Sequence, residues 1–136
     1  MTKAVFSTLK NNLIASSLAQ EGLELIRQTR DLNWQHSQPF TTNLIDGSYS
    51  IDYRSSVPTS ASATTLLYLK DGFYVHNNGS DTDLTPTIFS RQIIINKFDS
   101  YDSDPMQVRS IVSWVDHSHP YHYELQTLLF DWLGRN

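Results

Sequence analysis

The stretch Asn12-Leu13-Ile14-Ala15-Ser16-Ser17-Leu18-Ala19-Gln20-Glu21-Gly22-Leu23-Glu24-Leu25-Ile26-Arg27 decides the fold. Ile14, Leu18, Gly22 and Leu25 return at helical spacing, and Ala15, Ala19 and Ile26 widen the stripe. Ser17, Gln20, Glu21, Glu24, Arg27 and Gln28 fall on the other side as a wet face, where Glu21 and Glu24 read as partners for Arg27 or Gln28. Outward from this block, residues 4 to about 32 contain no proline and one glycine. The pattern predicts a helix over about 4–33, roughly 40 Å long at 1.5 Å per residue.

Toward the N-terminus the apolar stripe moves. At about 100° per residue, Val5, Phe6, Leu9 and Leu13 share one side, nearly opposite the stripe that runs from Ile14 to Ile26. A helix packed along its whole length on one domain keeps one stripe. The switch therefore reads either as a slightly bent helix on an ordinary core or as one helix serving two partners.

From Gly47 onward a strand period takes over. In Ser48–Arg54, Tyr49, Ile51 and Tyr53 face one way. Residues 57–65 are rich in Ser, Thr and Ala with a proline and read as a loop. Leu66–Lys70 and Phe73–His76 flank Asp71-Gly72, a strong hairpin signal because both central turn residues need positive φ. Residues 77–86 form a polar loop, and Ile88–Phe98 carries Ile93-Ile94-Ile95 like a central strand. Gln107–Asp116 and Tyr121–Trp132 complete the set, with Pro120 in the connection. Short polar connections favour antiparallel neighbours. The expectation is a single α+β domain over 1–136: a long N-terminal helix packed on an antiparallel sheet of about five to six strands spanning 47–132.

The 136 residues suffice for one core, with 39% hydrophobic and 18% charged residues. Ten Lys and Arg against fourteen Asp and Glu give a formal charge of −4, which disfavours nucleic-acid binding driven by bulk charge. Cysteine is absent, which excludes disulfides, thiol catalysis and Cys-ligated metal centres. No apolar run approaches the length that spans a bilayer.

Several segments carry a family resemblance. Asn12-Leu13-Ile14-Ala15, Leu18-Ala19-Gln20-Glu21-Gly22-Leu23-Glu24, Arg27, Arg30-Asp31 and Asn33-Trp34 resemble the helix of bacterial type IV pilin-like proteins, the minor pilins and pseudopilins. Asp71-Gly72-Phe73-Tyr74, Phe89-Ser90-Arg91-Gln92-Ile93, Val112-Ser113-Trp114 and Leu125-Gln126-Thr127-Leu128 with Asp131-Trp132 extend the resemblance over most of the chain. The resemblance implies a structural subunit of a type IV pilus or a type II secretion-like fibre, not an enzyme. Its partners would be other pilin or pseudopilin subunits, the inner membrane through an N-terminal segment, and a prepilin peptidase acting on the full-length form. Its location would be the inner membrane before assembly, then a periplasmic or extracellular fibre. Family members open with a basic leader, Gly-Phe-Thr-Leu-Ile-Glu and about 20 apolar residues. Here Met1-Thr2-Lys3 leads directly to Val5-Phe6, so the processing residue and the early Glu are not carried over. The sequence reads as the soluble part, with the membrane half of the helix missing.

On this reading Val5, Phe6, Leu9 and Leu13 form the assembly face, while Ile14, Leu18, Gly22, Leu25 and Ile26 pack on the sheet. The alternative is a free extracellular binding module that holds a ligand with its sheet and loop aromatics. Other constellations read as structure first. His117, His119 and His122 with Asp116 are suitable metal-ligand types, but their spacing reads as an exposed histidine-rich hairpin tip. Asp116, His117 and Ser118 are the residue types of a hydrolase triad, yet adjacent residues cannot converge as one. Asp99, Asp102 and Asp104 read as a solvated acidic loop. They are also the calcium candidates, because alternating carboxylates and hydroxyls can wrap that ion and calcium sites occur in some domains of the resembled family. No cofactor is otherwise expected.

Overall fold

The computed structural model describes residues 3–55, 57–62, 64–97 and 105–130, with residues 3–6 described by their backbone alone. Within them the order is α1 (Lys3–Gln35), β1 (Gly47–Ser50), β2 (Thr59–Ser60), β3 (Thr65–Lys70), β4 (Phe73–Val75), β5 (Thr85–Lys97), β6 (Met106–Asp116) and β7 (His119–Leu129). Every strand pairing is antiparallel.

The expected strand count needs correction: among the described residues the sheet has seven strands, not five or six. The added strand is β2, two residues that pair with Tyr49 and Ser50 of β1. It lies inside the Ser/Thr-rich stretch read as a loop. Two exposed residues after a proline carry no apolar alternation, so no period announces them.

Strand β5 organises the sheet. Its first half pairs with β3 and its second half with β1, both along one edge, while β6 runs along the other edge. Strand β6 in turn pairs with β7. The hairpin of β3 and β4 turns through Asp71 and Gly72, both at positive φ. The β6–β7 hairpin turns through His117 and Ser118, at φ 51° and 66°. Pro120 is not in that connection but inside β7, opposite Val115. A proline is tolerated there because β7 is an edge strand and the missing N–H need not belong to a ladder.

Helix α1 covers one face of the sheet. Along β5 and β6 alternate residues are buried, among them Arg91, Ile93, Ile95, Val108, Ser110 and Val112, as the period of a strand requires. Against them lie Ala15, Leu18, Ala19, Leu25 and Ile26, all at most 6% exposed. Gly22 is buried in the same stripe, and Ile14 is half-buried beside it. The other sheet face carries polar cross-strand pairs, such as Arg109 with Glu124 at 2.7 Å and Gln107 with Gln126 at 2.9 Å. One covered and one solvated face is the usual state of an antiparallel sheet.

Two local features depart from the expected pattern. Strand β1 stops at Ser50 because the Asp52 carboxylate accepts the Arg54 N–H at 2.9 Å and the Asp52 carbonyl accepts the Ser55 N–H at 2.9 Å. That turn leaves Tyr53 49% exposed, while Tyr49 and Ile51 stay in the core. After α1, Phe40 and Leu44 are fully buried and join Leu23 and Trp34. Asn33 Nδ2 holds this segment by donating to the carbonyls of Phe40 and Thr42 at 3.1 and 2.8 Å.

Candidate functional site

Among the described residues the helix is tied to the sheet by Arg27, which donates to Thr127 Oγ1 at 3.3 Å, and at two further places, and these define what remains free. The first is Arg91, whose side chain is fully buried. Its Nη1 donates to the Leu18 carbonyl at 2.8 Å and to Glu21 Oε1 at 2.7 Å, and its Nη2 donates to the Ile51 carbonyl at 2.6 Å. One guanidinium thus ties α1, β5 and the end of β1 together, a task suited to its forked donors. The wet-face Glu21 is therefore spoken for by the sheet, while Glu24 pairs with Arg27. The second place is the tip of the β6–β7 hairpin. Asp116 Oδ2 accepts from Ser7 Oγ at 3.0 Å and from Asn11 Nδ2 at 3.3 Å.

Between these anchors, Leu9 and Leu13 point away from the sheet and are 50% and 71% exposed. Val5 and Phe6 continue the helix, but their side chains lie outside the described residues. Leu13 also borders a groove of about 340 Å³ with Ile14, Ser17, Leu18, Glu21 and Tyr74. The helix thus turns one stripe to its own core from Asn11 onward and exposes two leucines on the opposite side.

A second cluster sits where the end of β1 meets the segment after β4. Arg54 reaches Asp81 Oδ1 at 2.7 Å, Asp52 Oδ2 at 3.1 Å and the His76 carbonyl at 2.8 Å. The His76 N–H donates to Asp52 Oδ2 at 2.9 Å. Burial pushes the Asp52 carboxyl up, but the hydrogen bonds from Arg54 and from the His76 and Arg54 amides outweigh it and hold it below its ordinary value. The same guanidinium holds Asp81 low. Burial pushes the His76 imidazole down, helped by the nearby Arg91 charge. His76 Nδ1 lies 3.2 Å from the Leu66 carbonyl, which can only accept, so Nδ1 carries the proton. Asp52, Arg54 and His76 border a cleft of about 390 Å³ with Ser50, Thr59 and Asn77. Sequence reading missed the cluster because Asp81 comes from a polar loop; the Asp52/Arg54 spacing was its only signal.

The remaining candidates do not assemble. His117 sits in the turn with its Nδ1 2.7 Å from Asp116 Oδ1, while His119 starts β7 and His122 pairs with Ser113. Among the described residues, no three His, Asp or Glu side chains are grouped to hold a metal. Ser7 and His117 bind opposite oxygens of Asp116, whereas a triad needs the histidine between the hydroxyl and the carboxylate. The constellation fastens the helix start to the hairpin. Asp99, Asp102 and Asp104 lie outside the described residues. No helix among the described residues is long and apolar enough to cross a membrane. Comparison with protein-family models, with curated proteins and with solved structures finds no match.

Proposed function

We propose that the chain is the globular part of a structural fibre subunit of the minor pilin or pseudopilin kind, assembling with other subunits through the first half of its helix. The observation that carries the reading is the pair Leu9 and Leu13, 50% and 71% exposed on a helix face opposite the one packed on the sheet. Two leucines four residues apart on one exposed helix face suit a neighbouring helix. The Ser7 and Asn11 bonds to Asp116 hold that face outward at the end of the sheet. The β-sheet would form the outer surface of the fibre, and the role would be architectural, without catalysis. In the full-length form the helix would continue into an inner-membrane segment processed by a prepilin peptidase.

The test is a photo-crosslinking amino acid at position 13 in cells of the source organism. Crosslinks to the helix of another subunit support the reading. Crosslinks that never include a pilin-like partner contradict it.

A second reading has its own support. Tyr53 and Phe73 are 49% and 55% exposed, with ring centroids 4.9 Å apart. An exposed aromatic pair is a surface suited to a ligand, so a binding module using this pair is the alternative. Loss of ligand capture on Phe73→Ala, with Leu13 variants inert, would favour it.

A further inference from the structure

Strand β7 is the one long edge among the described residues. It runs eleven residues, His119–Leu129, and pairs only with β6. Its register against β6 is unbroken from Asp116↔His119 to Met106↔Leu129. Edge strands in natural proteins are commonly blunted by bulges, by lysine or by brevity. Strand β7 has no bulge against β6, no lysine and no short length. Only Pro120 removes one donor.

The turn fixes which backbone groups are free. In a two-residue hairpin the closing pair, Asp116 and His119, exchanges hydrogen bonds. Alternation then gives the odd-numbered residues of β7 to β6. The N–H and C=O groups of His122, Glu124, Gln126 and Leu128 face outward.

We propose that β7 pairs antiparallel with β7 of a second copy, about a two-fold axis through Tyr123. Two-fold pairing of outward groups requires each pair of residue numbers to sum to an even value. The sum that places Tyr123 on the axis sets His122 opposite Glu124, twice by symmetry. Both lie on the solvated sheet face, where Arg109 already positions the Glu124 carboxylate at 2.7 Å. An imidazole N–H can donate to the fixed carboxylate opposite it, so the two make a complementary cross-strand pair. Tyr121 faces Leu125 on the other side of the same ladder. The proposal concerns a contact between copies that uses no helix residue, so it stands or falls independently of the fibre reading.

The test uses the whole chain in sedimentation velocity across a wide concentration range. The expected result is a reversible dimer. His122→Lys tightens it and His122→Glu weakens it, each by about tenfold, because two symmetric pairs become ion pairs or like-charge pairs together. His122 is exposed, so both variants should keep the wild-type melting temperature. Tyr123→Cys probes the register. Across the new ladder the two copies of position 123 form a non-hydrogen-bonded pair about 4.5 Å apart at Cα, within disulfide range, and the chain has no other cysteine. Oxidation should then give a covalent dimer. A chain that is monomeric at every concentration overturns the proposal. So does a dimer indifferent to both His122 variants, or one that binds only a foreign extended peptide.

Discussion

Gly22 and Ser110 are in such close register that a Cβ on Gly22 would stand 2.5 Å from Ser110 Oγ, with Ile93 Cδ1 at 2.8 Å. The helix can lie this near the sheet only because position 22 has no side chain. Helix propensity favours alanine over glycine by about 1 kcal/mol, but overpacking a tight core costs about 1–3 kcal/mol. Ser110 Oγ is buried without a hydrogen-bond partner.

Gly22→Ala should therefore lower stability by up to about 2 kcal/mol in urea denaturation. Ser110→Ala alone should be neutral or slightly stabilising, because it removes an unpartnered hydroxyl. A Gly22→Ala variant more stable than wild type would contradict the close approach.

Arg91→Lys should cost about 2–4 kcal/mol despite keeping the charge, since one ammonium cannot serve the Leu18 and Ile51 carbonyls and Glu21 together. Glu21→Gln should cost less, because Glu21 is 37% exposed and Gln can still accept from Arg91. Equal losses from the two variants in urea titration would show that the guanidinium geometry does not matter.

Acid should lower the protein's stability in two steps. His76 is pushed down in the folded state by burial, so the unfolded chain takes up its proton first. Stability supplied by a neutral His76 should fall as pH drops through about 6.5, the unfolded histidine value. Asp52 is held below its ordinary value in the folded state. Its contribution should be intact above about pH 4 and disappear as pH falls through its folded value. Stability measured against pH should show both steps, with His76→Gln flattening the first and Asp52→Asn the second.

Ser118 sits at φ 66° in the two-residue turn after His117. A non-glycine residue in that region is strained by about 1–2 kcal/mol. Ser118→Gly should raise the melting midpoint, consistent with a gain of about 1 kcal/mol. A fall would mean that the turn differs in solution.

The long helix, the Asp71-Gly72 hairpin and the central Ile93–Ile95 segment were legible because each has a strong local signal: a sustained helical period, a positive-φ dipeptide, an unbroken apolar run. Strand β2 was not, because Thr59 and Ser60 are exposed and carry no period. The early end of β1 was hidden in Asp52, whose carboxylate joins the local turn to Arg54 and also takes the His76 N–H from a distant segment. Phe40 and Leu44 lack any period and are buried by tertiary contact with Leu23 and Trp34. Of the candidate residues, the stripe switch around Leu13 was visible from angular position alone. The Asp52–Arg54–Asp81 cluster needed the fold to bring the end of β1 and the segment after β4 together.

If the exposed leucines of α1 join subunits in a fibre, as proposed, charging them should abolish assembly without unfolding the chain. The most direct measurement compares wild type with the Leu9→Asp/Leu13→Asp double variant in the source organism, by immunodetection in the sheared fibre fraction. The wild-type chain should be found in that fraction. The double variant should be folded, with an unchanged melting temperature in the purified protein, yet absent from the fibres. A wild-type chain absent from the fibre fraction, or a double variant that enters it equally well, would contradict the account.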